Sequence, residues 1–161
     1  MRPLAPDLEA LLVEAIRARK RMWRVGGLGM IAMMGVLGAL AFFVGEPPDT
    51  LGPAALAGIG AAVGALALVP SLGDPRRAEI FTTLRERADA IVWACALVEP
   101  NQASSWVMLG LDDGARARTP AVMGHEQALL RCLAAHAPRA TVGFSPELDA
   151  RFRASPASLR R

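Results

Sequence analysis

Two stretches without a charged residue, Val25–Gly45 and Leu51–Gly73, dominate the pattern of apolar and polar positions along the chain. Neither contains a strongly hydrogen-bonding side chain, and Ser71 is the only hydroxyl in the second. An apolar run of about 20 residues, rising 1.5 Å per residue as a helix, matches the roughly 30 Å hydrocarbon core of a bilayer. Helices satisfy their own backbone groups in lipid, so the many glycines and Pro53 and Pro70 are tolerated there. A buried helix of a soluble protein normally keeps a polar face, which both runs lack. A cleaved leader ending near Ala39-Leu40-Ala41 would have an apolar core of only about 7–15 residues, shorter than this one. The pattern therefore predicts a membrane hairpin over 25–73, with helices at 25–45 and 51–73 and a loop at 46–50.

Charge orients that hairpin. Arg17, Arg19, Lys20, Arg21 and Arg24 precede the first run, and Arg76, Arg77, Arg85 and Arg87 follow the second. The loop Glu46-Pro47-Pro48-Asp49-Thr50 carries no positive charge. Because Lys and Arg near span ends stay inside, both termini are expected in the cytoplasm, as for a multi-pass protein of a cell inner membrane. Trp23 fits the inner headgroup belt, and Phe42 and Phe43 approach the outer one. Small residues let helices in lipid approach closely. Gly58, Gly60, Ala61 and Gly64 are the packing candidates on the second helix, extended by Ala54 and Ala65, with Gly35 and Ala39 opposite.

Upstream, residues 1–24 read as a cytoplasmic amphipathic helix that starts at an Asp7 cap, with Leu8, Leu11, Leu12, Ala15 and Ile16 on one face. Two placements fit: on the membrane surface, or against the C-terminal region. The acidic residues Glu9 and Glu14 favour the second.

From Asp74 the pattern becomes mixed and predicts a small α+β domain over 74–154. A helix is expected from Pro75 to about Asp89, with strands at Ala90–Val98 and Ser105–Leu111 and a turn at Asn101–Ser104. Asp112-Asp113-Gly114 is a hairpin signal, followed by an alternating strand, Ala115–Thr119, with Arg116 and Arg118 on one face. A helix over Gly124–Ala137 buries Leu129, Leu130 and Leu133. A short strand at Thr141–Phe144 follows, then a helical turn capped by Ser145 with Pro146 at its first position. The sheet is expected to be short and antiparallel, and the tail 155–161 disordered.

Ile91-Val92-Trp93, Leu111-Asp112-Asp113-Gly114 and the segment from Ala137 to Ser145 together resemble uncharacterised bacterial two-transmembrane-helix proteins with a small cytosolic α+β domain. The resemblance covers the last half of the chain and implies no activity and no site residue.

Composition agrees with the hydropathy pattern: 53% of residues are hydrophobic, aromatics are 5%, tyrosine is absent and mean hydropathy is +0.31. Lys20 is the only lysine among 18 basic residues, which with the abundant alanine speaks for a GC-rich genome rather than for a function. Cys95 and Cys132 form no Cys-x-x-Cys pair, and both are expected reduced in a cytoplasmic domain.

Four constellations invite chemistry. The glycines from Gly58 to Gly64 mimic a dinucleotide fingerprint, but no strand precedes them, and that motif needs one. His125, Cys132 and His136 share one side of a helix, and Cys95 would complete a Cys₂His₂ zinc set; Leu129 shares that stripe, which favours a packing role. Asp112 and Asp113 are turn formers. Arg116 and Arg118, with Arg76, Arg77, Arg85 and Arg87, could form a basic surface near the bilayer; the balancing acids and the missing aromatic pattern argue against nucleic acid.

No catalytic, metal or cofactor-binding residue is assigned, no cofactor is expected, and no small-molecule substrate is evident. The expectation is a non-enzymatic inner-membrane protein that contacts lipid and whose cytosolic module binds a protein partner or a second copy. A small oligomeric pore or transporter subunit and an anionic-lipid-sensing module are the alternatives.

Overall fold

The computed structural model describes residues 3–44, 51–98 and 105–160. The expected loop at 46–50, the turn at Asn101–Ser104 and the side chains of Phe42 and Ala54 lie outside the described residues. The chain forms two compact units, one made of residues 19–73 and the other of residues 1–18 together with 74–161.

Helix α1 runs from Pro6 to Val44 and α2 from Leu51 to Leu72. α1 starts one residue before the expected Asp7 cap: Pro6 takes the first helical position, where a missing N–H costs nothing, and Glu9 N–H donates to Ala5 O at 3.0 Å. In the first unit α1 and α2 pack antiparallel, with Gly27 beside Gly64 and Leu68, Met34 beside Gly60, and Gly38 beside Ala57. Among the described residues one helix is long and apolar enough to cross a membrane, over Pro6–Ala41; the described apolar stretch of α2, Ala55–Val69, is shorter.

The second unit is a small α+β domain around a four-stranded sheet ordered β3-β2-β1-β4, with β1 at Ile91–Val98, β2 at Ser105–Leu111, β3 at Arg116–Ala121 and β4 at Thr141–Val142. The sheet is mixed, not antiparallel as expected. β1, β2 and β3 form an antiparallel meander, but β4 pairs parallel with β1 through Trp93↔Thr141 and Ala94↔Val142. The cause is topological. Helix α4, Glu126–His136, carries the chain from the end of β3 back across the sheet, so β4 enters in the direction of β3, and parallel strands need such a crossover.

One face of the sheet is covered by the start of α1, by α3 (Glu79–Glu86) and by α4. Leu8, Leu12, Val13 and Ile16 pack there with Phe81, Leu84, Val107, Leu109 and Leu133. The N-terminal segment thus completes this core, the second of the two expected placements, and the domain is discontinuous in sequence rather than confined to 74–154. The other face is covered by α5, Pro146–Ala154, and a 3-10 turn, Pro156–Leu159. There Trp93, Cys95, Phe152 and Leu159 are buried together. A register shift between Ile91 and Trp93 breaks the strand's alternation, so that the neighbours Val92 and Trp93 both enter this second core while Ile91 and Ala94 enter the first.

Two local expectations change. The stretch from Pro75 is not one helix. Asp74 accepts the Arg76 N–H and starts a 3-10 turn, Ala78 is extended, and α3 follows, with a second 3-10 turn at Ala88–Ala90. The tail is ordered at least to Arg160, because Leu159 is buried, Thr141 Oγ1 donates to Leu159 O at 2.8 Å, and Arg160 pairs with Asp112 at 2.9 Å. Ser145 caps α5 as expected, accepting from Leu148 N–H at 3.2 Å.

Candidate functional site

The chemistry concentrates at the seam of the helical unit and at its charged end. Along α1 the residues turned toward α2 are Gly27, Ile31, Met34 and Gly38, spaced four, three and four apart, a heptad-like seam. On α2 the facing positions are Ala57, Gly60, Gly64 and Leu68. A Cβ on Gly60 would meet Met34 Cγ at 2.4 Å, and one on Gly64 would meet Ile31 Cγ1 at 2.7 Å. Of the expected packing residues, Gly60 and Gly64 lie in this seam and Ala61 is half-buried beside it, whereas Gly58 and Gly35 face open space. Gly27 and Gly38 are the seam glycines the residue pattern left unnamed. The alternation of four and three was the available signal.

The outer surfaces carry the large apolar side chains. On α1 Val25 is 65% exposed and Phe43 83%; on α2 Leu66 is 69% exposed and Leu72 73%. Leu28, Val36, Leu40, Leu56, Ile59 and Val63 are exposed with them. Between the helices the glycines and Ala57 make room for Ile31, Met34 and Leu68, and the outward surfaces are apolar where a water-soluble helix pair keeps a polar face.

Where α2 ends, α1 supplies cations. Arg24 Nη2 donates to Ser71 O at 2.9 Å and its Nε to Ser71 Oγ at 3.4 Å, while Lys20 Nζ donates to Gly73 O. Ser71 is buried, and its hydroxyl donates back to Leu68 O at 2.6 Å. The last carbonyls of a helix lack intrahelical partners and carry partial negative charge, so cations are favourable there. Trp23 is half-exposed, with the Arg19 guanidinium 5.9 Å from its ring centroid.

The α+β domain holds the remaining candidates apart. His136 is buried, with Nε2 3.0 Å from Leu84 O, whereas His125 is exposed at the other end of α4. Cys132 packs with the α4-side core, while Cys95 lies under Phe152 on the opposite face of the sheet. Among the described residues no group of three or more His, Cys, Asp or Glu could hold a metal ion. Burial pushes the Cys95 thiol up to about 11, a value at which it is no nucleophile at neutral pH.

Asp112 and Asp113 shape the β2–β3 turn. Asp113 accepts Ala115 N–H at 2.9 Å and pairs with Arg87 at 2.5 Å, and Gly114 takes a φ of +85°. The expected arginine surface is divided. Arg76 pairs with Glu9 at 3.1 Å next to Arg77, on the face that α1 covers. Arg116 pairs with Asp149 at 2.9 Å over the Phe152 ring, and Arg118 lies 5.5 Å from the Trp106 centroid, both on the face of α5. A surface cleft of about 310 Å³ lined by Ala88, Asp89, Ala137, Pro138 and Arg139 brings together one carboxylate and one guanidinium.

No family model matches the chain, and no curated protein or solved structure does.

Proposed function

We propose that this chain is a two-pass integral protein of a cell inner membrane, both termini cytoplasmic, whose α+β domain is a non-enzymatic module binding a protein partner or a second copy. The observation that carries this reading is a pair of closely packed helices, seamed by glycines, whose outward faces expose large apolar side chains. Leaving those side chains in water costs about 25 cal/mol per Å², which hydrocarbon surroundings remove. α2 has 22 residues, about 33 Å of helix, enough for a second crossing. The charge distribution supports the orientation, since every fixed cation of residues 19–73 precedes Val25. The same reading takes in the resemblance to bacterial proteins with two membrane helices and a small cytosolic domain. A pore has less support, because the one hydroxyl of α2 is turned inward onto Leu68 O and Arg24.

Alkaline carbonate extraction and thiol labelling test it. The protein should stay in the membrane pellet, Thr50→Cys should label in intact cells, and Ser158→Cys only after permeabilisation. Release by carbonate, or labelling of Ser158→Cys in intact cells, would overturn the proposal. Crosslinking in native membranes should then capture a defined partner or a dimer, and a strictly solitary chain would remove the interaction role.

A further inference from the structure

We infer that Lys20, Arg21 and Arg24, beside Trp23, form a binding site for the phosphodiester headgroup of an anionic phospholipid. This rests on the membrane reading above. Lys20 and Arg24 are one helical turn apart, Arg21 and Arg24 nearly so, which puts the three cations on neighbouring positions of α1. Two of them are held in place: Arg24 by Ser71 O and Oγ, Lys20 by Gly73 O. Those bonds use some of the N–H groups. A guanidinium has five and an ammonium three, so both cations keep donors for a phosphate.

The local charge is not balanced within the unit. The only acids of residues 19–73 are Glu46 and Asp49, more than twenty positions along the sequence from Lys20, Arg21 and Arg24. The C-terminal dipole of α2 offsets about half a charge. Arg24 directly precedes the apolar run, and the half-exposed Trp23 ring is of the kind favoured at headgroup depth. A held guanidinium, a held ammonium and a ring at that depth match a phosphate with acyl chains running on along the exposed Val25 and Leu28.

Full-length protein in phosphatidylcholine vesicles, doped with brominated phosphatidylglycerol or brominated phosphatidylcholine, tests the site through quenching of Trp23. A Trp23→Phe variant supplies the background from Trp93 and Trp106. The anionic lipid should associate more strongly by about fivefold for each cation engaged. R21Q, at an exposed position outside the Arg24–Ser71 and Lys20–Gly73 contacts, should remove about one such factor while the hairpin stays intact. Equal quenching by the two lipids, or an unchanged preference in R21Q, would overturn the inference. So would loss of the preference on adding inorganic phosphate at matched ionic strength, which would assign the site to the free anion. Carbonate extraction of the same samples separates the two failures: protein released into the supernatant sinks the membrane reading, whereas inserted protein without lipid preference sinks only the site.

Discussion

Gly27 and Gly64 face each other so closely that a Cβ on Gly27 would lie 3.0 Å from Gly64 O, and one on Gly64 would lie 3.1 Å from Gly27 O. The contact is reciprocal and backbone to backbone, so no side-chain rotation can relieve a substitution at either position. Close approach of this kind gains dispersion and weak Cα–H···O contacts, the terms that hold helices together where hydrophobic driving force is absent.

Gly64→Ala should therefore weaken the hairpin by about 1–3 kcal/mol, the usual range for overpacking a tight site. Gly58→Ala is the matched control. A Cβ there meets nothing within 4 Å, and alanine favours the helix. Unfolding in mixed micelles with increasing sodium dodecyl sulfate would show the difference. Equal stability of the two variants would mean that the seam contributes nothing.

Leu12 is fully buried among residues of α3, α4 and the sheet although it lies more than sixty positions before any of them. Leu12→Ala should cost the α+β domain about 2–5 kcal/mol. A fragment of residues 74–161 should expose its α4-side core and bind a hydrophobic dye, and a peptide of residues 1–18 added in trans should suppress that binding. A fragment with sharp, dye-free, cooperative unfolding would show that the N-terminal segment is dispensable.

These elements mark where residue pattern succeeds and where it fails. The two apolar runs, the boundaries of β2 and the Ser145 cap were legible because each depends on local composition or on one side chain meeting a neighbouring N–H. The parallel pairing of β4 was not, since a two-residue strand has no periodicity and its partner is set by the path of α4. The order of the tail escapes the residue pattern for a related reason. Leu159 is a single apolar residue among small and basic ones, and only the open sheet face at Trp93 gives it somewhere to go. The charged end of the hairpin was half legible: its arginines stood out by sign, but their bonds to Ser71 and Gly73 depend on how far α2 extends alongside α1.

Phe152 presses on a strand position that must have no side chain: a Cβ on Gly110 would collide with Phe152 Cε2 and Cζ. The same ring lies tilted against Trp93, with centroids 5.4 Å apart and planes at 42°, and Trp93 Nε1 donates to Gly143 O at 2.7 Å. Phe152→Ala should cost about 3–5 kcal/mol and flatten the near-ultraviolet dichroism of Trp93. Gly110→Ala should displace α5 and cost about 1–3 kcal/mol. Combining the two should be less damaging than their sum, because removing the ring vacates the space the new methyl needs. Strict additivity would argue that the ring does not sit on Gly110.

Asp113 links the β2–β3 turn to the end of α3, and its carboxyl is held below the usual carboxylate range, first by the Arg87 guanidinium and then by the Ala115 N–H. A group whose pKa is depressed on folding contributes stability above its unfolded value, about 3.9 for aspartate, and loses that contribution as pH falls through the lower folded value. Asp113→Asn removes the charge that Arg87 attracts while keeping an oxygen for the Ala115 N–H. The variant should be less stable than the parent at neutral pH, by the small amount typical of an exposed pair. Below about pH 4 the two stability curves should converge, and they should meet once the parent's carboxyl is protonated. Urea titrations of the detergent-solubilised full-length protein, followed by tryptophan emission at a series of pH values, would show the convergence. A gap that stays constant into strong acid would mean that the turn is held by geometry alone and that the Arg87 contact carries no pH-dependent stability.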